Sequence, residues 1–328
     1  MTSLLKSIVR NQHACRAAGM LALLLALSGC ASLVPQTMQL RDAWPAGVPA
    51  RNELTAVPFF PQQDYQCGPA ALAMTLAHSG AQVTPDSLAG QVYLPARQGS
   101  LQTEMLAAPR RHDRISYQIA PRLDDLLREV AAGNPVIVLQ DTGIGPVINW
   151  HYAVVIGYDY PAGELYLRSG SNNRLAIPFT VFEYTWRKSG YWAMLTLAPG
   201  RIPATATEQG YLYAVLAMER VSEALAARIS YTALLQRWPA NVLASIGLAN
   251  QYYAMGELAL AEKILRQSAL LHPDSVPVLN NLAHTLSDLG RDAEALPFIE
   301  KAVLSTNDPS ATDARETQTL ILERMGKH

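Results

Sequence analysis

The spacing of hydrophobic residues along the chain predicts two folded regions of different kinds. From about residue 51, apolar residues recur with helical spacing, as in "CGPAALAMTLAHSG" and "RLDDLLREVAAGN". The runs "PVIVLQ", "HYAVVIGYD", "ELYLRS" and "GYWAMLTLA" then predict strands, and "DYPAGE" predicts a hairpin turn between two of them. "TAVPFF" predicts a further short strand before the first helix. Helices followed by a mainly antiparallel sheet indicate an α+β domain over residues 51–200.

The strand signals stop near residue 205, where a repeat of 34 residues begins. The repeated positions are Leu248, Ala249, Tyr252, Gly256, Ala261 and Leu265, followed 34 positions later by Leu282, Ala283, Leu286, Gly290, Ala295 and Ile299. This spacing resembles the tetratricopeptide repeat, with a generic array of helical hairpins as the alternative. The resemblance implies an all-α domain over 205–328 that ends in a capping helix. Its concave surface would bind a peptide or a partner protein.

The first thirty residues predict a targeting signal rather than a folded element. Basic residues precede the apolar run "MLALLLALSGC", which is short for a membrane span and typical of a secretory signal. "LSGC" resembles a bacterial lipobox, which implies removal of residues 1–29 and lipidation of Cys30. An ordinary signal peptide with a chance cysteine is the alternative.

The residues after Cys30 bear on where such a lipoprotein would go. Ala31 and Ser32 follow Cys30, with no Asp to resemble an inner-membrane retention signal. We therefore expect a lipid anchor in the outer membrane, with the protein facing the periplasm. Residues 30–50 contain three prolines and little periodicity, and they predict a tether.

Composition and motifs narrow the chemistry. The net charge of −1 gives no reason to expect a nucleic-acid partner. The sequence has no zinc-ligand spacing, phosphate-binding glycine loop or nucleotide fingerprint, so we expect no cofactor and no metal. Cys15 lies within the predicted signal and Cys30 would carry lipid, so Cys67 would be the only remaining thiol.

Cys67 stands at the start of a predicted helix, where the helix dipole favours a thiolate. A nucleophilic thiol also needs a base, and His151 at the start of the strand "HYAVVIGYD" is the best placed histidine. The other histidines that follow the predicted signal lie at the far end of the Cys67 helix, in a charged turn, in the repeats or at the terminus: His78, His112, His272, His284 and His328. An imidazolium at His151 together with the helix dipole predicts a lowered pKa for the Cys67 thiol.

The segments "CGPAALAM" and "HYAVVIGYD" together resemble the papain-like cysteine peptidases that process double-glycine leaders of bacteriocins, over residues 52–198. The resemblance implies that Cys67 is the nucleophile and His151 the base. It also implies that a Gln before the Cys helps the Cys backbone N–H to form the oxyanion hole. Gln62 stands five residues before Cys67 and Gln63 four, and Gln62 is the preferred candidate.

The third catalytic residue departs from the pattern of that family, which has an Asp at the end of the next strand. Here the strand ends in "LYLRSGSNN", with Ser169 near the expected position and Asn172 and Asn173 following. An Asn could orient the imidazole by accepting its N–H. The sequence therefore leaves Ser169 and Asn172 as open candidates for the third position.

Two hypotheses of different classes follow from these patterns. The first is an envelope-anchored cysteine peptidase that cleaves a peptide or protein, with amide or acyl transfer as a variant that uses the same pair. The second is a non-catalytic peptidase-like scaffold or binding lipoprotein, which the missing acidic residue favours. In both, the repeats recruit a substrate or partner protein and the lipid attaches the chain to a membrane.

Overall fold

A computed structural model of the chain describes residues 33–62, 66–305 and 308–326. The predicted signal peptide, Cys30 and Gln63 lie outside these residues. The helices are α1 (Pro35–Asp42), α2 (Cys67–His78), α3 (Pro85–Val92), α4 (Gln102–Ala107), α5 (Leu123–Ala131), α6 (Phe179–Arg187), α7 (Glu208–Glu219), α8 (Ala224–Arg237), α9 (Val242–Ala254), α10 (Leu258–Leu271), α11 (Val276–Asp288), α12 (Asp292–Val303) and α13 (Ala311–Met325). The strands are β1 (Arg51–Glu53), β2 (Tyr93–Leu94), β3 (Gly99–Ser100), β4 (Ile115–Gln118), β5 (Val136–Asp141), β6 (Trp150–Asp159), β7 (Glu164–Ser169), β8 (Asn172–Pro178) and β9 (Ala193–Leu197).

The chain divides into two compact units. In the part that the structure describes, the first contains residues 33–62, 66–75 and 118–194, and the second contains residues 76–117, 195–305 and 308–326. The boundary predicted near residue 200 divides the chain into two continuous segments. In the structure, residues 76–117 belong to the same unit as the C-terminal helices. No helix within the described residues combines the length and apolar character needed to cross a bilayer.

The first unit is built on an antiparallel sheet in the strand order β9-β5-β6-β7-β8. β5 pairs with β6 so that Gln140 stands opposite His151 and Asp141 opposite Trp150. β1 also pairs with β6, at its other end, where Arg51 lies opposite Asp159. β6 is buried over most of its length because it lies inside the sheet, which agrees with its nearly continuous apolar sequence.

The turn between β6 and β7 lies where "DYPAGE" predicted it, but the sequence did not predict every strand. "TAVPFF" forms no strand, whereas β8 was not predicted because its exposed sequence "NNRLAIP" is rich in polar residues. β8 is held by pairing with β7 in a hairpin, with Ser169 opposite Asn172.

Residues 35–42 form α1 where the sequence predicted an irregular tether. Pro35 begins the helix, and the carboxylate of Glu183 on α6 accepts the backbone N–H of Gln36 at 2.9 Å and of Thr37 at 2.6 Å. The Glu183 side chain is buried. Its carboxylate satisfies N–H groups at the start of α1 that would otherwise lack partners. This long-range cap folds a segment with little periodicity of its own.

The second unit contains the repeat helices α7–α13 together with α3, α4, the β2–β3 hairpin and β4. Successive repeat helices pack against one another, α10 on α9, α11 on α10 and α12 on α11. The predicted repeat positions form the core of this array: Leu248, Ala249, Ala261, Leu265, Leu282, Ala283, Leu286, Ala295 and Ile299 are buried. Gly256 and Gly290 have φ of +76° and +73° at helix ends, a conformation that favours glycine. The predicted fold class, an α+β domain followed by helical repeats, is confirmed.

Candidate active site

Cys67 is the first residue of α2 and lies partly buried beside the start of β6. The backbone N–H groups of Tyr152, Gly68 and Cys67 itself are close enough to the thiol to stabilise its negative form. Since Tyr152 follows His151 directly, the fold brings the predicted nucleophile to the strand that carries the predicted base.

His151 is held by Ser169 at the end of the neighbouring strand β7. Its Nε2 lies 2.9 Å from the Ser169 hydroxyl oxygen. That oxygen can accept a hydrogen bond from Nε2–H in the tautomer that leaves Nδ1 unprotonated. Asn172 is exposed on β8, and Asn173 accepts hydrogen bonds from the Arg168 guanidinium through both its side-chain and main-chain oxygens. Among the candidates for the third position, the structure therefore brings Ser169 to the imidazole.

Gln62 connects the segments that carry His151 and Ser169. Its Nε2 donates to the carbonyl of Tyr152 at 3.2 Å, and its Oε1 accepts the N–H of Gly170 at 2.9 Å. The Gln62 N–H donates in turn to the carbonyl of Gly170 at 3.1 Å. Gln62 thus joins the residue after His151 to the residue after Ser169. Its amide nitrogen has a second proton, which is the one that could serve as an oxyanion donor.

The pKa directions at this site are opposite to those predicted from the sequence. Burial raises the pKa of the Cys67 thiol, and the three backbone N–H groups only partly offset that effect. Burial also lowers the pKa of His151. The helix dipole and an imidazolium had predicted a low thiol pKa, but desolvation disfavours the charged forms of both groups. Burial thus favours the neutral forms of both the Cys67 thiol and the His151 imidazole.

Two residues next to His151 in the sheet were not singled out by the sequence. Gln140 on β5 lies directly opposite His151 on β6, and its amide donates to the Thr185 hydroxyl on α6 at 2.7 Å. The ring of Tyr152 packs edge-on against Trp192 at 5.7 Å between centroids. Burial, and to a smaller extent the Cys67 charge, raises the pKa of Tyr152, so its hydroxyl stays neutral. Only the pairing of β5 with β6 reveals the position of Gln140.

Asp141 and Asp159, the acidic residues nearest to His151 in the sequence, are bound elsewhere. Asp141 binds the loop that follows it, accepting the N–H of Gly143 and of Asn149 at 2.9 Å each. Asp159 accepts the N–H of Ala162 at the far end of β6. In the described part of the chain, no group of three or more His, Cys, Asp or Glu side chains is placed to hold a metal ion.

Comparison with known proteins finds one family model and several solved structures that resemble parts of the chain. Residues 54–194 match the model of the Peptidase_C39 like family, and no curated protein matches the chain. A solved structure from Bacillus anthracis, described as a C39-like peptidase, is 19% identical over 45% of this chain and 97% of that chain, with a TM-score of 0.38. Pseudomonas aeruginosa pilF is 22% identical over 37% of this chain and 54% of that chain, with a TM-score of 0.34. The TPR2B-domain:pHsp70 complex of yeast Sti1 is 15% identical over 36% of this chain and 97% of that chain, with a TM-score of 0.33.

Proposed function

Starting from residues 54–194 as a domain of the Peptidase_C39 like family, we propose that the protein is a cysteine peptidase that uses Cys67 and His151. The observation that carries the proposal is the contact of 2.9 Å between His151 Nε2 and the Ser169 hydroxyl. With Nε2–H donated to Ser169, Nδ1 is the nitrogen free to take the thiol proton. The low pKa of His151 favours this neutral, basic form at neutral pH.

The proposed reaction begins with a neutral pair. As Cys67 Sγ bonds to the substrate carbonyl carbon, its proton passes to His151 Nδ1, and the carbonyl oxygen gains a negative charge. The backbone N–H of Cys67 and the second N–H of Gln62 stabilise that charge. The C–N bond then breaks, His151 protonates the leaving amine, and an acyl-thioester remains on Cys67. Water, deprotonated by His151, hydrolyses the thioester and restores the thiol.

The test is hydrolysis of an unfolded protein such as reduced casein by the full chain. Cys67→Ala and His151→Ala are each expected to lose at least about 10³-fold in rate, because they remove the nucleophile and the base. His112→Ala is the matched control. Adding an acceptor peptide distinguishes hydrolysis from transfer, since a transferase would join the acyl group to the acceptor amine in preference to releasing the acid. The scaffold hypothesis would be supported if wild type and Cys67→Ala gave the same background rate.

For the envelope, we propose lipidation of Cys30 and anchoring to a membrane, with the outer membrane as destination and the periplasm as compartment. "LSGC" after an apolar run supports this. Cys30→Ala is expected to abolish incorporation of a radioactive or alkyne-bearing fatty acid into the chain. Unchanged incorporation in Cys30→Ala would remove Cys30 as the lipid site.

For the repeats, we propose binding of a peptide segment from a substrate or partner protein. A groove of about 290 Å³ lies among α8, α9 and α10, and Leu235, Leu248 and Ile264 contribute its apolar lining. Its size suits one or two apolar side chains next to the polar groups of Thr232 and Gln267. Ile264→Arg is expected to abolish crosslinking to partner peptides from envelope extracts, whereas Leu270→Arg, on an exposed position, is expected to retain it.

A further inference from the structure

The loop that joins β5 to β6, residues 142–149, presents large aliphatic side chains to solvent. Ile144 is 87% exposed, and Val147 and Ile148 are each 65% exposed. Trp150, which follows at the start of β6, is 48% exposed. We call Ile144, Val147, Ile148 and Trp150 the apolar finger. A pocket for a substrate side chain has to surround that side chain, whereas these residues stand outward from the surface.

The apolar finger is carried on a loop with many internal bonds. The Asp141 carboxylate accepts the N–H of Gly143 and of Asn149 at 2.9 Å each, and the Thr142 N–H donates to the Asn149 carbonyl at 2.9 Å. A Cβ on Gly143 would come within 1.8 Å of the Val147 carbonyl oxygen, so the loop requires glycine there. The backbone that carries these exposed side chains is therefore held by the loop's own hydrogen bonds.

Helix α6 connects the base of this loop to the point where the N-terminal segment joins the domain. The Lys188 ammonium, just after α6, lies 3.2 Å from the Asp141 carboxylate and 5.1 Å from the centre of the Tyr184 ring. Val181 and Tyr184 are exposed one turn apart on α6. On the same helix, Glu183 holds the first N–H groups of α1.

The attachment of α1 to α6 leaves a short connection to Cys30. Only residues 31–34 lie between Cys30 and Pro35, the first residue of α1. Fully extended, four residues span at most about 14 Å. A lipid on Cys30 would therefore hold the α6 side of the first unit close to the membrane surface.

We propose that the apolar finger inserts into the interfacial region of a lipid bilayer, beside the lipid anchor. The inference rests on the proposed lipidation of Cys30 and does not depend on the catalytic pair. A bilayer is an apolar medium that needs no matching groove, which suits convex aliphatic tips. Trp150 and Tyr184 would lie at the headgroup level, where such rings are favoured. The His151 strand would then begin at the membrane surface.

The test is the depth of a nitroxide label on the full chain, purified from membranes and reconstituted in vesicles of phosphatidylethanolamine and phosphatidylglycerol. The parent variant is Cys67→Ser, and the label is attached to Ile148→Cys made in that parent. Leu270→Cys, on a repeat leucine that is 83% exposed, is the matched control. Collision of the label with oxygen, which enters bilayers, is compared with collision with a polar nickel complex, which does not.

We expect the oxygen-to-nickel collision ratio at Ile148→Cys to exceed that at Leu270→Cys by at least about fivefold. Equal ratios would place the finger in water, and protection from both reagents would place it against protein; either result overturns the proposal. The unsubstituted parent separates this result from failure of the anchor. If Cys30 carries lipid the parent takes up no label, and if the parent is labelled, the proposed lipidation is wrong.

Discussion

The repeat helices and the candidate site are held together by different kinds of contact. In the repeats, buried apolar residues recur at equivalent positions, and each helix packs on the next helix in sequence. In the site, single hydrogen bonds join residues that are 90 and 108 positions apart, as Gln62 does with Tyr152 and Gly170. Substitutions in the repeats should therefore reduce stability. Substitutions among the site's hydrogen bonds should reduce activity while the fold remains.

The largest effect should come from the repeat core. Leu282 is fully buried on α11, and Leu282→Ala is expected to lower the free energy of unfolding by about 2–5 kcal/mol, because the cavity cannot close completely. Denaturant unfolding followed by helical circular dichroism measures the change. Leu270→Ala, on a residue that is 83% exposed, should change it by less than about 0.5 kcal/mol. Similar losses in both variants would contradict the assigned repeat core.

The next largest effect should come from Gln62, and it should appear in catalysis. Gln62→Ala removes the links to Tyr152 and Gly170 as well as the proposed oxyanion donor, and a loss of about 10²-fold in kcat is expected. Gln63→Ala should have a much smaller effect, as the sequence predicts. Rates of peptide hydrolysis measure both. Equal, mild losses would remove Gln62 from the site.

A double variant separates the two roles of Gln62, positioning of the neighbouring segments and donation to the oxyanion. If Gln62 acts mainly by positioning His151 and Ser169, the losses in Gln62→Ala and Ser169→Ala should be less than additive in the double variant. Additive losses would favour a separate role as oxyanion donor.

Ser169 should have a smaller effect because the group it supplies is a neutral hydroxyl. Ser169→Ala removes the partner of His151 Nε2, and we expect a loss of about tenfold in kcat, the effect of roughly one hydrogen bond. Asn172→Ala, at an exposed position opposite Ser169 in the hairpin, should remain within about twofold of wild type. A larger loss in Asn172→Ala than in Ser169→Ala would make Asn172 the third residue.

The sequence predicted the parts of the molecule that repeat or alternate. The 34-residue period identified buried residues such as Leu248 and Leu282, because each helix pair meets its neighbour in the same way. Strands β5, β6, β7 and β9 followed from their β-branched and aromatic runs. Helix α1 could not be predicted in this way, since its cap comes from Glu183, 146 and 147 positions away. The same is true of the Gln62 links, which depend on where β6 begins and where β7 ends.

The direction of the Cys67 pKa shift also could not be predicted from the sequence, because a pKa depends on how much solvent the fold removes from the group. A helix N-terminus can be recognised from the pattern, whereas the burial that raises the thiol pKa appears only once α2 and β6 are assembled. At an exposed helix end the dipole contributes about 1 kcal/mol or less, and desolvation can outweigh that amount.

The smallest effect is expected in the pH dependence of Cys67 alkylation, measured without substrate. This measurement tests the electrostatics of the Cys67 thiol and His151 most directly. Burial raises the thiol pKa, so the native chain should react with iodoacetamide only as pH rises above the ordinary thiol value of about 8.5. The chain unfolded in urea should react at lower pH than the native chain.

The raised thiol pKa also contributes to the stability of the fold at pH values below the unfolded thiol pKa, and this contribution is lost as pH rises through the folded value. Because burial lowers the pKa of His151, we expect no imidazolium to stabilise the thiolate near pH 7, and His151→Ala should leave the profile nearly unchanged. Cys67→Ser provides the blank for any other thiol. An acidic limb in wild type that disappears in His151→Ala would instead indicate a resting thiolate–imidazolium pair, and the neutral pair in the proposed reaction would have to be abandoned.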